Sequence, residues 1–322
     1  MRRLLPLILL LVLALSGCGR QQVSLSGFAL NTAVSVTVYG GTQEDAQGAM
    51  ELCRSYETVF SRTDPDSELY RLNHREIDTV SDELARVIAQ GLAYSRLTDG
   101  AFDITAGSIS QLWDFTAASP AAPPADEIRE GLTHVGYEKV TLEGNRVVFS
   151  DPGTVIDLGA IAKGYIADRM ADYLRDAGVA SAIIDLGGNL FCLGGRLDGS
   201  DFQVGVQYPY EARSVTIGGL GVRDKSVVTS GVYERCFTQD GRLYHHILDT
   251  ATGFPVANGL VAVTVVSDYS LDGDALSTGC FALGLEEGMA LVESLEGMEA
   301  AFITEDLEIH LSSGLEGVFY AT

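Results

Sequence analysis

From residue 23 the chain alternates apolar and polar positions through Val34, Val36 and Val38 until Gly40-Gly41, which predicts a half-buried strand over 23–39. The period then changes. Ala46, Met50, Cys53 and Val59 fall at helical spacing over 43–60, and a polar loop from Phe60 runs into a short helix before Asn73. Another helix is predicted over 81–97, stopped at Asp99-Gly100. Ala101-Phe102-Asp103 reads as the start of a strand, and the Ala- and Pro-rich stretch 116–126 as a surface loop. Short strands at 139–143 and 146–150 flank a turn at Glu143-Gly144-Asn145.

Residues 155–164 organise the chain. Val155 and Ile156 read as the end of a buried strand and Asp157-Leu158-Gly159 as a sharp turn. Tyr165, Ile166, Met170, Tyr173 and Leu174 then form the apolar stripe of a helix ending near Gly178. Strand, glycine-containing turn and helix together bring backbone N–H groups to an anion. Lys163 falls in the first turn of that helix, and it is one of only three lysines, the others being Lys139 and Lys225. A solvated lysine on an ordinary strand-to-helix turn is the plainer reading of the same residues. A strand is expected at 182–186, ending in Gly187-Gly188-Asn189, and the chain is β-rich from 190 to 266. Helices resume at 274–283 and 286–295, with a last strand pair near 299–310.

Two further segments carry candidate chemistry. Asp240-Gly241 is a two-residue hairpin signal between 227–238 and 243–248. Counting outward from it pairs Gln239 with Arg242, Phe237 with Tyr244 and Arg235 with His246, so His245 and His246 point to opposite faces. A metal site built from both is therefore disfavoured, while a single histidine beside the Asp249–Pro255 loop suits a general acid or base. A strand histidine with a satisfied hydrogen bond is the alternative. In Asp272-Gly273-Asp274-Ala275-Leu276-Ser277-Thr278, a helix starting here puts Asp274 and Thr278 on one face with Ser277 beside them. One carboxylate and hydroxyls, with room for waters and phosphate oxygens, suit Mg2+; an Asp helix cap is the bland alternative.

Composition fixes the setting. Basic Met1-Arg2-Arg3, apolar Leu4–Leu15 and Leu15-Ser16-Gly17-Cys18 make residues 1–17 a lipoprotein signal peptide, too short to span a bilayer as a mature helix. Cys18 is then the lipidated N-terminus, 18–24 a tether and 25–322 the folded domain, held at the cell membrane on its extracytoplasmic side. The formal net charge of −23 argues against nucleic acid and anionic headgroups, and it requires local compensation at any phosphate site. Cys53, Cys192, Cys236 and Cys280 show no paired spacing and read as free thiols rather than a zinc site.

In order behind this leader come an Asn-Thr at a strand end, SRTDPDSELYRLN (61–73), AFD (101–103), DLGAIAKG (157–164), DLGGN (185–189), SGVYER (230–235), HHILDTATGFP (245–255) and DALST (274–278). This series resembles the ApbE family of FAD:protein FMN transferases over roughly residues 25–315. The resemblance implies an α+β fold of two interlocked α/β halves with mixed or antiparallel sheets, FAD lying in the cleft between them. It implies transfer of FMN from FAD to a Thr or Ser hydroxyl of a partner flavoprotein with release of AMP. Carried over residue by residue, Asp157, Lys163, Ala101, Phe102 and Asp103 would contact FAD, while Leu30, Asn31, Ile247 and Leu248 would line the flavin. The Ala160 carbonyl would join Asp274, Ser277 and Thr278 around Mg2+. His246, or a site carboxylate, would take the acceptor proton, and Asp274 would serve catalysis through the metal. Asn31 departs from the family's Met-Gly-Thr pattern, which keeps hydrolysis of FAD to FMN and AMP open as an alternative. A flavin-binding lipoprotein without chemistry is the third reading, and a binder has no need of Asp274, Thr278 and Lys163 together.

Overall fold

The computed structural model describes residues 22–212 and 214–322; Cys18 and the expected leader lie outside them. The strands in chain order are β1 (Gln22–Ala29), β2 (Thr32–Tyr39), β3 (Val140–Glu143), β4 (Arg146–Phe149), β5 (Ala182–Leu186), β6 (Asn189–Leu193), β7 (Phe202–Gln207) and β8 (Thr216–Val222). They continue with β9 (Lys225–Gly231), β10 (Cys236–Gln239), β11 (Arg242–His245), β12 (Leu260–Ser267), β13 (Glu299–Thr304), β14 (Ile309–Leu311) and β15 (Tyr320–Ala321). The five longer helices that matter here are α1 (Gln43–Ser55), α2 (Asp82–Leu97), α3 (Ala162–Asp176), α4 (Ser270–Leu283) and α5 (Leu285–Glu293).

One eight-stranded sheet, in the order β1-β2-β5-β6-β9-β12-β13-β14, runs through the whole molecule, and every neighbouring pair in it is antiparallel. A three-stranded sheet (β15-β8-β7) and the hairpins β3–β4 and β10–β11 complete the α+β fold. The apolar residues form two large clusters. One joins β1, β2 and β5 to α1, α2 and α3, and the other joins β7 to β9, β12 and β13 to α4 and α5. Helix α4 belongs to both, since Leu271 and Ala275 pack into the first cluster while Leu276, Cys280 and Phe281 pack into the second. This helix is buried on nearly all sides, and it is the element through which the two halves interlock.

The structure corrects several expectations. The strand expected over 23–39 is a hairpin, β1–β2, turned at Leu30 and Asn31 with φ of 54° and 56°. Two consecutive positive φ values suit Asn at the second position and are unusual for Leu at the first. Residues 22–24, expected in the tether, already belong to β1. The helix expected over 43–60 breaks at Tyr56, and the loop over 116–126 leads into a helix at Ala125–Leu132. Neither Phe102 nor Val155-Ile156 lies in a strand; Val155 makes only an isolated parallel bridge with Ala106. The hairpin at Asp240-Gly241 has the register counted from the sequence. Among the described residues the cysteines are free, and no helix is long and apolar enough to cross a membrane.

Candidate active site

Residues 155–158 are clamped from outside rather than ending a strand, and 159–161 form a turn. Asn73 does the clamping: its Nδ2 donates to the Ile156 carbonyl at 2.8 Å and its Oδ1 accepts from Ile156 N at 2.8 Å. A side-chain amide thus replaces a neighbouring strand, satisfying both backbone groups of a fully buried residue. Asp157 donates its N–H to the Ile104 carbonyl at 2.7 Å. Its carboxylate accepts from Gly159 N (2.9 Å) and Ser110 Oγ (2.7 Å) and pairs with Arg62 at 3.2 Å. The turn is therefore pinned by Arg62, Asn73 and Ser110, none of which stands out individually in the sequence. Arg62 and Asn73 lie in the 61–73 motif, which is the signal that could have found them.

Helix α3 starts at Ala162, so Lys163 occupies its first turn as expected, and α4 crosses it there. The crossing is close because Gly164 has no side chain: a Cβ at this position would lie 2.2 Å from the Ser270 carbonyl oxygen. Lys163 Nζ meets Asp274 Oδ1 at 2.8 Å, and Gly164 N donates to Asp274 Oδ2 at 3.0 Å. Helix α4 begins at Ser270, not at Asp274, so Asp274 sits in the second turn and its carboxylate is aimed across the helix pair rather than at its own N-terminus. Thr278 lies one turn further on. Ser230, at the end of β9, is 2.9 Å from Ser277 Oγ and 3.1 Å from Thr278 Oγ1. Ser230 is thus a site residue that the sequence showed only as part of SGVYER.

The β10–β11 hairpin brings its end to the same place. His246 N donates to the Arg235 carbonyl at 3.1 Å, and Arg235 Nη2 donates to the Asn31 carbonyl at 3.3 Å, so the tip of β1–β2 touches the histidine segment. Glu57 holds that tip from the other half, its Oε1 accepting from Leu30 N at 2.9 Å. His245 points into the core with Nε2 3.0 Å from the Val256 carbonyl. His246 is partly buried and its Nδ1 has no hydrogen-bond partner. Burial, reinforced by the positive charges of Arg235, His245 and Lys163, pushes the His246 imidazolium down to about 3, so the ring is neutral at physiological pH. Ile247 and Leu248 are buried, the first in the second core cluster and the second against Trp113 and Phe237 in a smaller cluster.

The 101–103 segment lies next to this site, and the Phe102 and Asp103 side chains are already committed within the fold. Phe102 is buried and meets Tyr94 edge-on at 6.4 Å. Both Asp103 oxygens are committed, Oδ1 to Thr105 N and Oγ1 (2.7 Å each) and Oδ2 to Tyr137 N (2.8 Å). The loop is tied to the histidine segment by Thr250 Oγ1, which donates to the Gly100 carbonyl at 2.7 Å. Ala101 is half-buried beside it.

No group of three His, Cys, Asp or Glu side chains among the described residues could hold a metal, which excludes a carboxylate-rich or imidazole cage there. What stands at the crossing is one nearly buried carboxylate, Asp274, with the hydroxyls of Ser277 and Thr278 one turn on along the same helix. Gly164 N is one of the first donors of α3, which have no acceptor within their own helix, and the Asp274 carboxylate supplies one. An all-oxygen set of this kind fits a hard cation that keeps open positions for water and phosphate oxygens, as Mg2+ does.

Known proteins resemble this chain over nearly its whole length. The ApbE family model matches residues 30–302. A protein of Klebsiella pneumoniae (strain 342) named FAD:protein FMN transferase is 37% identical over 295 residues, covering 90% of this chain and 92% of that protein. One of the same name from Treponema pallidum (strain Nichols) is 33% identical, covering 92% and 88%. The crystal structure of the ApbE protein from Thermotoga maritima superimposes with a TM-score of 0.84 at 32% identity, covering 92% of this chain and 99% of that one. The solved structure of the flavin transferase ApbE from Vibrio cholerae gives 0.82 at 28% identity, covering 93% and 99%. With the family matched from β2 to β13 and relatives similar over nearly the whole length, the chain belongs to the ApbE family.

Proposed function

We propose that this chain is a Mg2+-dependent transferase that moves FMN from FAD to a Thr or Ser hydroxyl of a partner flavoprotein and releases AMP. The observation that carries this reading is the convergence of Lys163, Asp274, Ser230, Ser277 and Thr278 at the α3–α4 crossing. The shared name of the relatives, FAD:protein FMN transferase, supports the class of reaction. In the reaction the acceptor oxygen attacks the phosphorus on the FMN side of the pyrophosphate. The bridging P–O bond breaks, AMP departs with the electron pair, and the hydroxyl proton passes to a base.

Each residue has a part in this. Asp274, Thr278, Ser277 and the Ala160 carbonyl would hold Mg2+, which supplies charge neutralisation at the pyrophosphate oxygens. Lys163, now paired with Asp274, lies close enough to the same position that its ammonium would be available to the phosphates. Neutral His246 takes the proton; a bound pyrophosphate dianion beside it raises its basicity above the low value of the free site. The AFD segment and the DLG turn, joined by the hydrogen bond from Asp157 N to the carbonyl of Ile104, the residue after AFD, would form one wall against FAD. The tip residues Leu30 and Asn31 and the Ile247–Leu248 pair form the flavin side. Lipidation of Cys18 would tether the enzyme to the extracytoplasmic face of the membrane.

The test is an incubation with FAD, MgCl2 and a candidate acceptor domain, following AMP and the mass of the acceptor together. AMP with an acceptor heavier by one FMN establishes transfer. AMP with free FMN and an unmodified acceptor establishes hydrolysis, and no AMP removes both.

A further inference from the structure

Helix α4 has no cap of its own. Tyr269 stands at the N-cap position and makes no side-chain hydrogen bond, which would leave the first amides of a buried helix unpaired. Asp168, from α3, satisfies them. Its Oδ1 accepts from Ser270 N at 2.7 Å and its Oδ2 from Leu271 N at 3.0 Å. One turn earlier on α3, the relation is reversed: Gly164 N and Lys163 Nζ donate to Asp274 of α4. Each helix therefore gives one carboxylate to the other, and the two carboxylate–amide contacts flank the point where Gly164 lets the backbones touch.

Asp168 has nothing else to do there. It is 7% exposed, no cation within ion-pair distance of it is found among the described residues, and burial pushes its carboxyl up to about 6, so at neutral pH it is ionised with two amides as its hydrogen-bond donors. Ser270 continues the network, donating to Asn189 Oδ1 at 2.7 Å, with Ser226 Oγ 2.9 Å away. The α4 end is thus anchored to β6 and β9 as well as to α3.

We propose that Asp168 is a positioning residue for the active site: it fixes the axial register of α4 against α3, so that Asp274 can give up Lys163 and Gly164 for a metal and phosphate ligands without the helices moving apart. This rests on the transferase reading with its metal at Asp274. Of the two contacts across the crossing, one is broken in the working cycle and the other is kept. Asp168 is the kept one, and it acts on substrate only through α4.

The experiment measures the MgCl2 concentration that gives half-maximal thermal stabilisation at saturating FAD, for wild type, Asp168→Asn and Val36→Ala. The last is a stability control in β2, fully buried and outside the site. Groups hydrogen-bonded to metal ligands change metal affinity by about 10–100-fold; Asp168 acts one step removed, through the register of α4, so Asp168→Asn is expected to raise that concentration about 10-fold while Val36→Ala leaves it unchanged. Should the Asn variant not fold, Asp168→Glu, which keeps the charge but moves it by one methylene, is measured the same way. An unchanged midpoint in the Asp168 variants, or an equal shift in Val36→Ala, overturns the inference. A wild-type chain with no Mg2+ response overturns the metal reading first, and this inference with it.

Discussion

Substituting Gly164 tests the α3–α4 crossing most directly. In Gly164→Ala the new methyl would sit 2.2 Å from the Ser270 oxygen and 2.6 Å from Leu271 Cα, both backbone atoms that no rotamer change can move aside. The helices must part by about 1 Å to restore ordinary contact distances. Overpacking of this kind costs about 1–3 kcal/mol. Loss of the Gly164 N–H bond to the Asp274 carboxylate costs about 1.5–3 kcal/mol more. Replacing Gly by Ala inside a helix returns about 1 kcal/mol. The net expectation is a destabilisation of about 1.5–5 kcal/mol, or a fall in Tm of about 3–10 °C for a chain of this size. The catalytic effect should be larger than the stability effect, because a shift of about 1 Å between Lys163 and Asp274 costs about 100-fold in rate. Differential scanning fluorimetry and AMP release from FAD measure the two. A variant with wild-type Tm and wild-type turnover would refute the close-crossing argument, and lost stability with full turnover would show that the crossing does not position the site.

Other outcomes come from the same geometry. Asp274→Asn should abolish Mg2+-dependent AMP release while leaving the fold intact, as monitored by circular dichroism; turnover near wild type removes Asp274 from the metal site. In the free site His246 is neutral well below the ordinary histidine range, so kcat/KM for AMP release, which reports the free enzyme, should show no acidic limb near pH 6.5, and a limb at that value contradicts the enclosed, unprotonated ring. The sign for stability is the same: with its folded value depressed, His246 stabilises the fold fully above about pH 6.5 and loses that contribution as pH falls toward 3. His246→Gln should therefore lose less stability than wild type on acidification from pH 7 to 5 in urea titrations. Asn73→Ala strands both backbone groups of Ile156 and should cost about 2–4 kcal/mol, read from urea unfolding; a loss below about 1 kcal/mol would mean the segment has another support.

How much of this is legible in the sequence depends on whether the determining contact is local. The Asp240-Gly241 hairpin can be read to the residue, because a two-residue turn fixes register by counting. The Leu30-Asn31 hairpin escapes, since Leu at a positive φ gives no turn signal and the tip is held by Glu57 and Arg235 from distant segments. Val155-Ile156 mimics a strand because its backbone is satisfied as in a sheet, although the partner is the Asn73 side chain, 83 residues away. The first turn of α4 is hidden for the same reason: Tyr269 and Ser270 offer no cap, and the cap arrives from Asp168. For the site, Lys163 and the Asp274–Thr278 spacing are visible as local pattern, while Ser230 and Arg62 acquire meaning only once the sheet and the 61–73 segment are placed beside them.

Strand β1 begins at Gln22 and ends beside the mouth of the site, so with the lipidation proposed for Cys18 it works as a spacer of defined length between an anchored end and the catalytic centre. Eight residues at about 3.3 Å each make it about 26 Å long. With Cys18 in the membrane, the four residues from there to Gln22 add at most about 14 Å of reach. A hydroxyl to be modified must then come within about 40 Å of the bilayer surface, whatever its surrounding sequence. Under that anchoring, height above the membrane would become a selection rule, favouring acceptors whose reactive loop can approach the lipid over membrane proteins that hold it far above.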